Sequence, residues 1–303
     1  MIRSAATLRR VAAIGVALAA LTGATPPFAH AEPPAACSGT RTPVSFRACI
    51  AQAASVYTAL WAPELVARAA SATPPTISIF TGIPFNSCVD ATVGDIAVAS
   101  FWCDKDATVY VSAPASPYWT REYAREAKRQ GVLAFDAQRV HRTQKRLLRG
   151  HPNQGAATEL AHELGHWVQY AAGFDDYYFV KGQGTSRKAD MYRSASELSA
   201  DCMAGWVQGR GAASGSWRDT PFIRWAGLAT IAELGGDLSG MRPSFAFPKD
   251  ATIIAHGGAS TRLAMYRQGL SLGARGAEGI DGCAAFAARF TGTQPPPSNQ
   301  PPS

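Results

Sequence analysis

The sequence predicts an α+β fold, mostly helical, with a small β-sheet preceding a helix that carries His-Glu-x-x-His. Three observations predict it. Short runs rich in β-branched and aromatic residues are confined to residues 76–112. Stretches with apolar residues at helical spacing flank that region on both sides. The run Ala161-His162-Glu163-Leu164-Gly165-His166-Trp167 lies inside one of those stretches.

Residues 1–31 read as a signal peptide. Arg3, Arg9 and Arg10 precede the apolar run Val11 to Ala24, and Ala29-His30-Ala31 places small residues where a signal peptidase reads, so cleavage is expected before Glu32. The run is short for a bilayer and no later one is long enough, so no transmembrane anchor is expected after cleavage. A secreted or cell-envelope location follows. Residues 32–75 form a lead-in rich in Pro, Ala and Ser and then a helix. That helix spans Phe46 to Ala70, with Ile50, Val56, Leu60, Leu65 and Val66 as candidate core positions.

Thr76 to Phe80, Ile96 to Trp102 and Ala107 to Ser112 read as strands, with Asp104-Lys105-Asp106 as a hairpin turn and Gly82, Pro84, Asn86 and Gly94 punctuating the loops. Helices are expected over Tyr118 to Gln130 and Leu133 to Leu148, both carrying several basic residues. Those charges read as a solvated face; the alternative is a patch attracted to anionic cell-envelope polymers. The His-Glu-x-x-His helix is expected from about Asn153, as cap, to Gly173. Further helices are expected over Asp190 to Gln208, Ile223 to Leu234 and Ser260 to Leu272. Residues 292–303 are proline-rich without apolar anchors and are expected to be disordered. Residues 76–291 therefore make up the main domain.

The formal charge is +7, and residues 1–31 hold three arginines and no Asp, Glu or Lys, so the processed chain carries 7 − 3 = +4. That balance does not suit a nucleic-acid binder. The six cysteines favour disulfides in an exported chain, and none forms a Cys-x-x-Cys pair. Fifteen pairings are open. The short-range Cys37–Cys49 and Cys88–Cys103 are favoured, which leaves Cys202–Cys283.

Residues four apart on a helix share a face, so His162 and His166 can hold one metal ion between them while Glu163 sits beside the open coordination position. That is what a zinc-activated water requires, with a carboxylate to take its proton. Without a cation, a carboxylate beside two histidines on a half-buried face is costly. A catalytic zinc wants a third protein ligand, and Glu197 on a downstream helix can reach it. Asp201, four residues later on the same face, can accept the outer N–H of a ligand histidine. The swapped arrangement, with Asp201 on the metal, stays open. His256, Arg262, Tyr192 and Tyr266 are candidate stabilisers of a developing oxyanion, His256 being taken as a catalytic candidate. The strand Ala107 to Ser112 is a candidate edge for an extended peptide.

Four segments then carry a resemblance. They are Phe101-Trp102-Cys103 with Asp106-Ala107-Thr108-Val109-Tyr110; His162 to Gln169 (HELGHWVQ); Glu197 to Trp206 (ELSADCMAGW); and His256-Gly257 with Arg262, Gly269, Cys283 and Phe286. Over roughly residues 85–290 the chain resembles the Putative neutral zinc metallopeptidase family, a gluzincin-like group of bacterial exported or envelope proteins. The resemblance implies a zincin-like domain that hydrolyses peptide bonds in peptides or proteins. It further implies His162, His166 and Glu197 as Zn2+ ligands, Glu163 as general base, and it fits a Cys202–Cys283 pair. Ser199 stands where the family usually has glutamine. The alternative function is an exported envelope-binding or structural protein that keeps an inactive metallopeptidase fold.

Overall fold

The computed structural model describes residues 43–80, 100–112, 152–217 and 259–297, together with Cys37, Cys88, Gly227, Thr230 and Ile231. The expected signal peptide, the helices over Tyr118 to Gln130 and Leu133 to Leu148, most of Ile223 to Leu234, the start of the strand Ile96 to Trp102, and His256 lie outside the described residues.

Helix α1 runs Pro43–Ala67. Its buried stripe is Phe46, Cys49, Ile50, Ala53, Tyr57, Trp61 and Leu65, each three or four residues from the next except the adjacent Cys49 and Ile50. Val56 and Leu60 pack at the edge of this core. Val66, a candidate core position, is instead 66% exposed. It lies one residue past Leu65, about 100° round the helix and off the stripe.

The sheet comprises β1 (Thr76–Phe80), β2 (Phe101–Cys103) and β3 (Thr108–Ser112), in the order β1-β3-β2. β1 pairs with β3 in parallel, Ile77 opposite Val109, and β2 pairs with β3 antiparallel, Trp102 opposite Val109. The row Ile77, Val109, Trp102 therefore lies on one face, which packs into the core. The other face stacks Phe101 on Tyr110, ring centroids 4.9 Å apart. The β2–β3 turn takes in Ala107 as well, at φ 50, with the Tyr110 hydroxyl donating to Asp106 Oδ2 at 2.9 Å. The middle place goes to the last strand in sequence. The strand expected to present a free edge, Ala107 to Ser112, is thus bonded on both sides and has none; among the described strands, β2 is the outer one on the site's side.

α2 (Pro152–Ala171) begins one residue before the expected cap, with proline at the first helical position, where no intrahelical N–H is required. Asn153 is inside the helix and fully buried, and its Nδ2 donates to Ser45 Oγ on α1 at 3.3 Å. Gly173, at φ 72, turns the chain directly into α3 (Phe174–Lys181), a short helix that the apolar spacing does not separate from α2. α4 (Arg187–Ser214) is capped by Ser186, whose hydroxyl accepts from Ala189 N–H at 3.1 Å. α5 (Ala259–Ala274) and α6 (Ile280–Thr291) complete the set. Past α6, Gly292 lies at φ 69, the Tyr177 hydroxyl donates to the Gln294 carbonyl at 3.3 Å and Pro296 is buried, while residues 298–303 of the proline-rich tail lie outside the described residues.

α4 and α5 meet backbone to backbone. A Cβ on Gly269 would stand 1.9 Å from the Cys202 carbonyl oxygen, and one on Gly205 2.1 Å from the Tyr266 carbonyl oxygen. Gly209 and Gly273 repeat the approach one turn further on. This contact lets α5 lodge Arg262 behind the first half of the site. Gly269→Ala must force the helices apart, so a loss of about 1–3 kcal/mol is expected, read as a lower urea midpoint. Gly282→Ala, where a Cβ meets only Leu272 Cδ1 at 3.4 Å, should be neutral or stabilising. Equal midpoints for the two variants would refute the close packing of α4 on α5.

The cysteines pair as Cys37–Cys49, Cys88–Cys103 and Cys202–Cys283. The first braces the start of α1, the second anchors the end of β2, and the third ties α4 to α6. No described helix is long and apolar enough to cross a membrane.

Candidate metal centre

α2 and α4 face each other across Gly165, where an added Cβ would lie 3.0 Å from the Ala200 backbone. That approach brings the His162–His166 turn against Glu197 and Asp201. His162 Nε2 lies 3.3 Å from Glu197 Oε2, and His166 Nε2 lies 3.6 Å from Glu197 Oε1. One donor atom from each of the three residues falls within 4.8 Å of the others. The imidazoles stand edge to face, with centroids 4.9 Å apart.

These distances test whether zinc fits. Ligand atoms at about 2.0–2.2 Å from a tetrahedral ion lie about 3.3–3.6 Å apart. Charge-assisted hydrogen bonds between the same groups would be about 2.7–2.9 Å. Each imidazole Nε2 thus stands at ligand spacing, rather than hydrogen-bond spacing, from one oxygen of Glu197. Charge agrees in sign: Glu197 and Asp201, with Glu163 and Glu159 nearby, outweigh the buried Arg262, which favours a cation among them. The donor set fits the group.

Both imidazoles are held from behind. His162 Nδ1 lies 2.9 Å from Asp201 Oδ1, and Asp201 in turn takes Arg262 Nε at 2.6 Å and Nη2 at 2.7 Å. His166 Nδ1 lies 3.1 Å from Gln169 Oε1. The Gln169 amide is oriented by its own Nε2, which donates to the Ser196 carbonyl at 2.7 Å, and by Ser196 Oγ, which donates to Oε1 at 3.0 Å. An oxygen facing each Nδ1 makes that nitrogen the donor and turns the Nε2 lone pair toward Glu197 and the space between the three residues.

Glu163 is held by the sheet. Its Oε2 accepts the Trp102 backbone N–H at 3.0 Å, and Glu159, one turn earlier, accepts the Ser100 N–H at 3.1 Å. These two N–H groups point to the edge of β2 away from β3. Among the described residues Glu163 Oε1 takes no hydrogen bond.

Electrostatics show what the cage favours. Burial works against a charge on His162, yet the hydrogen bonds its ring donates to Asp201 and Glu197 outweigh it and raise its pKa to about 10. On His166 burial again opposes the charge, and the nearby Glu197 carboxylate again wins, raising the pKa. Burial pushes the Glu163 carboxyl up to about 7, against the pull of the two imidazoles. Left without an ion, the cage gathers protons; it is built to surround positive charge.

The structure brings His162, Glu163, His166, Glu197 and Asp201 together, with Arg262 against Asp201, whereas His256 lies outside the described residues. Arg262 is fully buried behind His162 and engaged with Asp201, which removes it from the oxyanion candidates. The Tyr266 hydroxyl donates to Gln208 Oε1 within a buried network that also holds Tyr57 and Thr158. Tyr192 is buried, with its ring edge-on to Tyr177. Sequence reasoning misses Gln169 and the Trp102 N–H. Gln169 leaves a usable trace, since a glutamine three residues beyond a ligand histidine shares its helix face.

No curated protein and no solved structure matches this chain significantly. A family profile does match, over residues 131–283, a span that includes both metal-facing helices and the cysteine closing the Cys202–Cys283 bridge. That span exceeds half of the sequence, and the chain belongs to the family described as Putative neutral zinc metallopeptidase.

Proposed function

We propose that the protein is an exported zinc-dependent metallopeptidase in which His162, His166 and Glu197 hold the ion and Glu163 is the general base. The observation that carries this reading is the clustering of His162, His166 and Glu197 donors within 4.8 Å of one another, with a sheet-held carboxylate next to them. Bound zinc supplies a Lewis acid that polarises the scissile carbonyl and acidifies an attacking water. Glu163 Oε1 takes that water's proton while Oε2 stays on the Trp102 N–H, and the same oxygen returns the proton to the leaving amine. Asp201 and Gln169 keep the two imidazoles in the tautomer that faces the ion. The substrate class is a peptide or protein. Export is supported by three disulfides and by the signal-like residues 1–31, with Asp201 assigned the supporting place and Glu197 the ligand place.

The test pairs metal analysis with a labelled-protein cleavage assay. About one zinc per chain and chelator-sensitive cleavage are expected, and Glu197→Ala should fall well below half a zinc per chain. Full zinc retention in Glu197→Ala would move the ligand role to Asp201. A wild type that binds zinc yet cleaves neither protein nor peptide would support an inactive envelope protein instead.

A further inference from the structure

Beside the metal centre one large side chain is left uncovered. Tyr170 follows His166 by one helical turn on the same face of α2, and it is 38% exposed. Its neighbours Trp167, Val168, Gln169 and Ala171 are buried. Helical side chains lean toward the N-terminus, so the Tyr170 ring covers the turn that carries His166. Among the described residues its one ring neighbour is Trp102, at 5.8 Å between centroids and 54° between planes. Trp102 is the residue whose backbone N–H holds Glu163, and it is half-buried against the core with its Nε1 buried. The pair is thus tied to the site at both ends, through Glu163 on the strand and through the turn that carries His166, whose side chain is 15% exposed. A tyrosine in this place contributes little to the core.

We propose that Tyr170 and Trp102 form a substrate subsite that selects an aromatic or large aliphatic side chain at one position near the scissile bond. Two rings set at 54° offer a tilted aromatic pair, and a side chain laid against the exposed Tyr170 ring gains by edge-to-face contact and by area removed from water. In the peptidase reading the scissile carbonyl lies between Glu163 and the donor trio, so a side chain resting on Tyr170 belongs to a residue close to that bond. The proposal rests on the protein being a peptidase.

The zinc-loaded full chain is given a mixed peptide library, and the cleavage sites are read by mass spectrometry. A preference of about tenfold or more in kcat/KM for Phe, Tyr, Trp or Leu over Gly or Ala is expected at one position. Tyr170→Ala should lose that preference, its kcat/KM falling about tenfold more for Phe- and Leu-bearing peptides than for Gly- and Ala-bearing ones, and Tyr170→Phe should keep it. Binding gives a second readout: in the Glu163→Gln background, adding Tyr170→Ala should weaken a Phe-bearing fluorescent peptide about tenfold without changing zinc content. Cleavage with no apolar preference, or an unaltered profile in Tyr170→Ala, overturns the subsite alone. So does a Tyr170→Phe variant as impaired as Tyr170→Ala, since the hydroxyl would then be responsible. A zinc-loaded wild type that cuts nothing overturns the peptidase reading and the subsite with it.

Discussion

Glu163→Gln should lower peptide hydrolysis by about 10²–10⁴-fold while leaving close to one zinc per chain. The substitution is nearly isosteric. The amide oxygen can still accept the Trp102 N–H now received by Oε2 at 3.0 Å, so the helix–strand contact survives. What goes is the ability of the second oxygen to take a proton from water and deliver it to the leaving amine. The proposed ligand atoms lie on His162, His166 and Glu197, so their spacing of 3.3 and 3.6 Å is untouched. The prediction separates base from ligand, because only a base loses rate without losing metal. It is checked by single-turnover cleavage beside metal analysis of the same preparation. A variant with full zinc and wild-type turnover would remove Glu163 from the chemistry.

What is legible in the sequence follows physical periodicity. His162 and His166 share a face because a helical turn is close to four residues, and Glu197 and Asp201 repeat the spacing on α4. Helices with a long apolar stripe, such as α1, can be read from Phe46 to Leu65. Val66 is misplaced because an apolar residue next to the stripe looks the same in composition as one on it. The sheet resists reading for a different reason. Each strand is recognisable by its residues, but nothing local says that β3 lies between β1 and β2, so the free edge falls to the wrong strand. α3 is hidden because Gly173 signals the end of α2 equally well whether a loop or another helix follows. The support for His166 is also hidden, since the part played by Gln169 depends on Ser196, twenty-seven positions away. In sequence, Arg262 looks like a cation free to meet substrate. Only the glycine-to-backbone contact of α4 with α5 sends it behind His162.

That burial makes Arg262→Met the substitution with the largest expected cost in stability. Asp201 is fully buried and its two oxygens accept three contacts, one from His162 Nδ1 at 2.9 Å and two from the Arg262 guanidinium. Methionine matches the length of the chain but leaves the carboxylate in the interior with only the imidazole against it. Removing one partner of a buried pair typically costs about 3–5 kcal/mol, mostly the penalty of the stranded charge. In a chain of this size that amounts to a fall in Tm of roughly 10 °C. The Asp201→Asn/Arg262→Met double variant should lose less than the sum of the single variants, because the charge that needs compensation has gone. Arg262→Lys should recover only part, since an ammonium cannot match the two parallel N–H bonds of the planar fork. Zinc affinity should follow: with Asp201 unsettled, His162 is held less firmly, and a weakening of about 10–100-fold is expected. Thermal melts of the four variants in excess chelator isolate the folding term, and zinc titration of the folded ones isolates the metal term. An Arg262→Met melt equal to wild type in chelator would show that Asp201 finds its compensation elsewhere, and charge neutralisation would then not be why the arginine is buried.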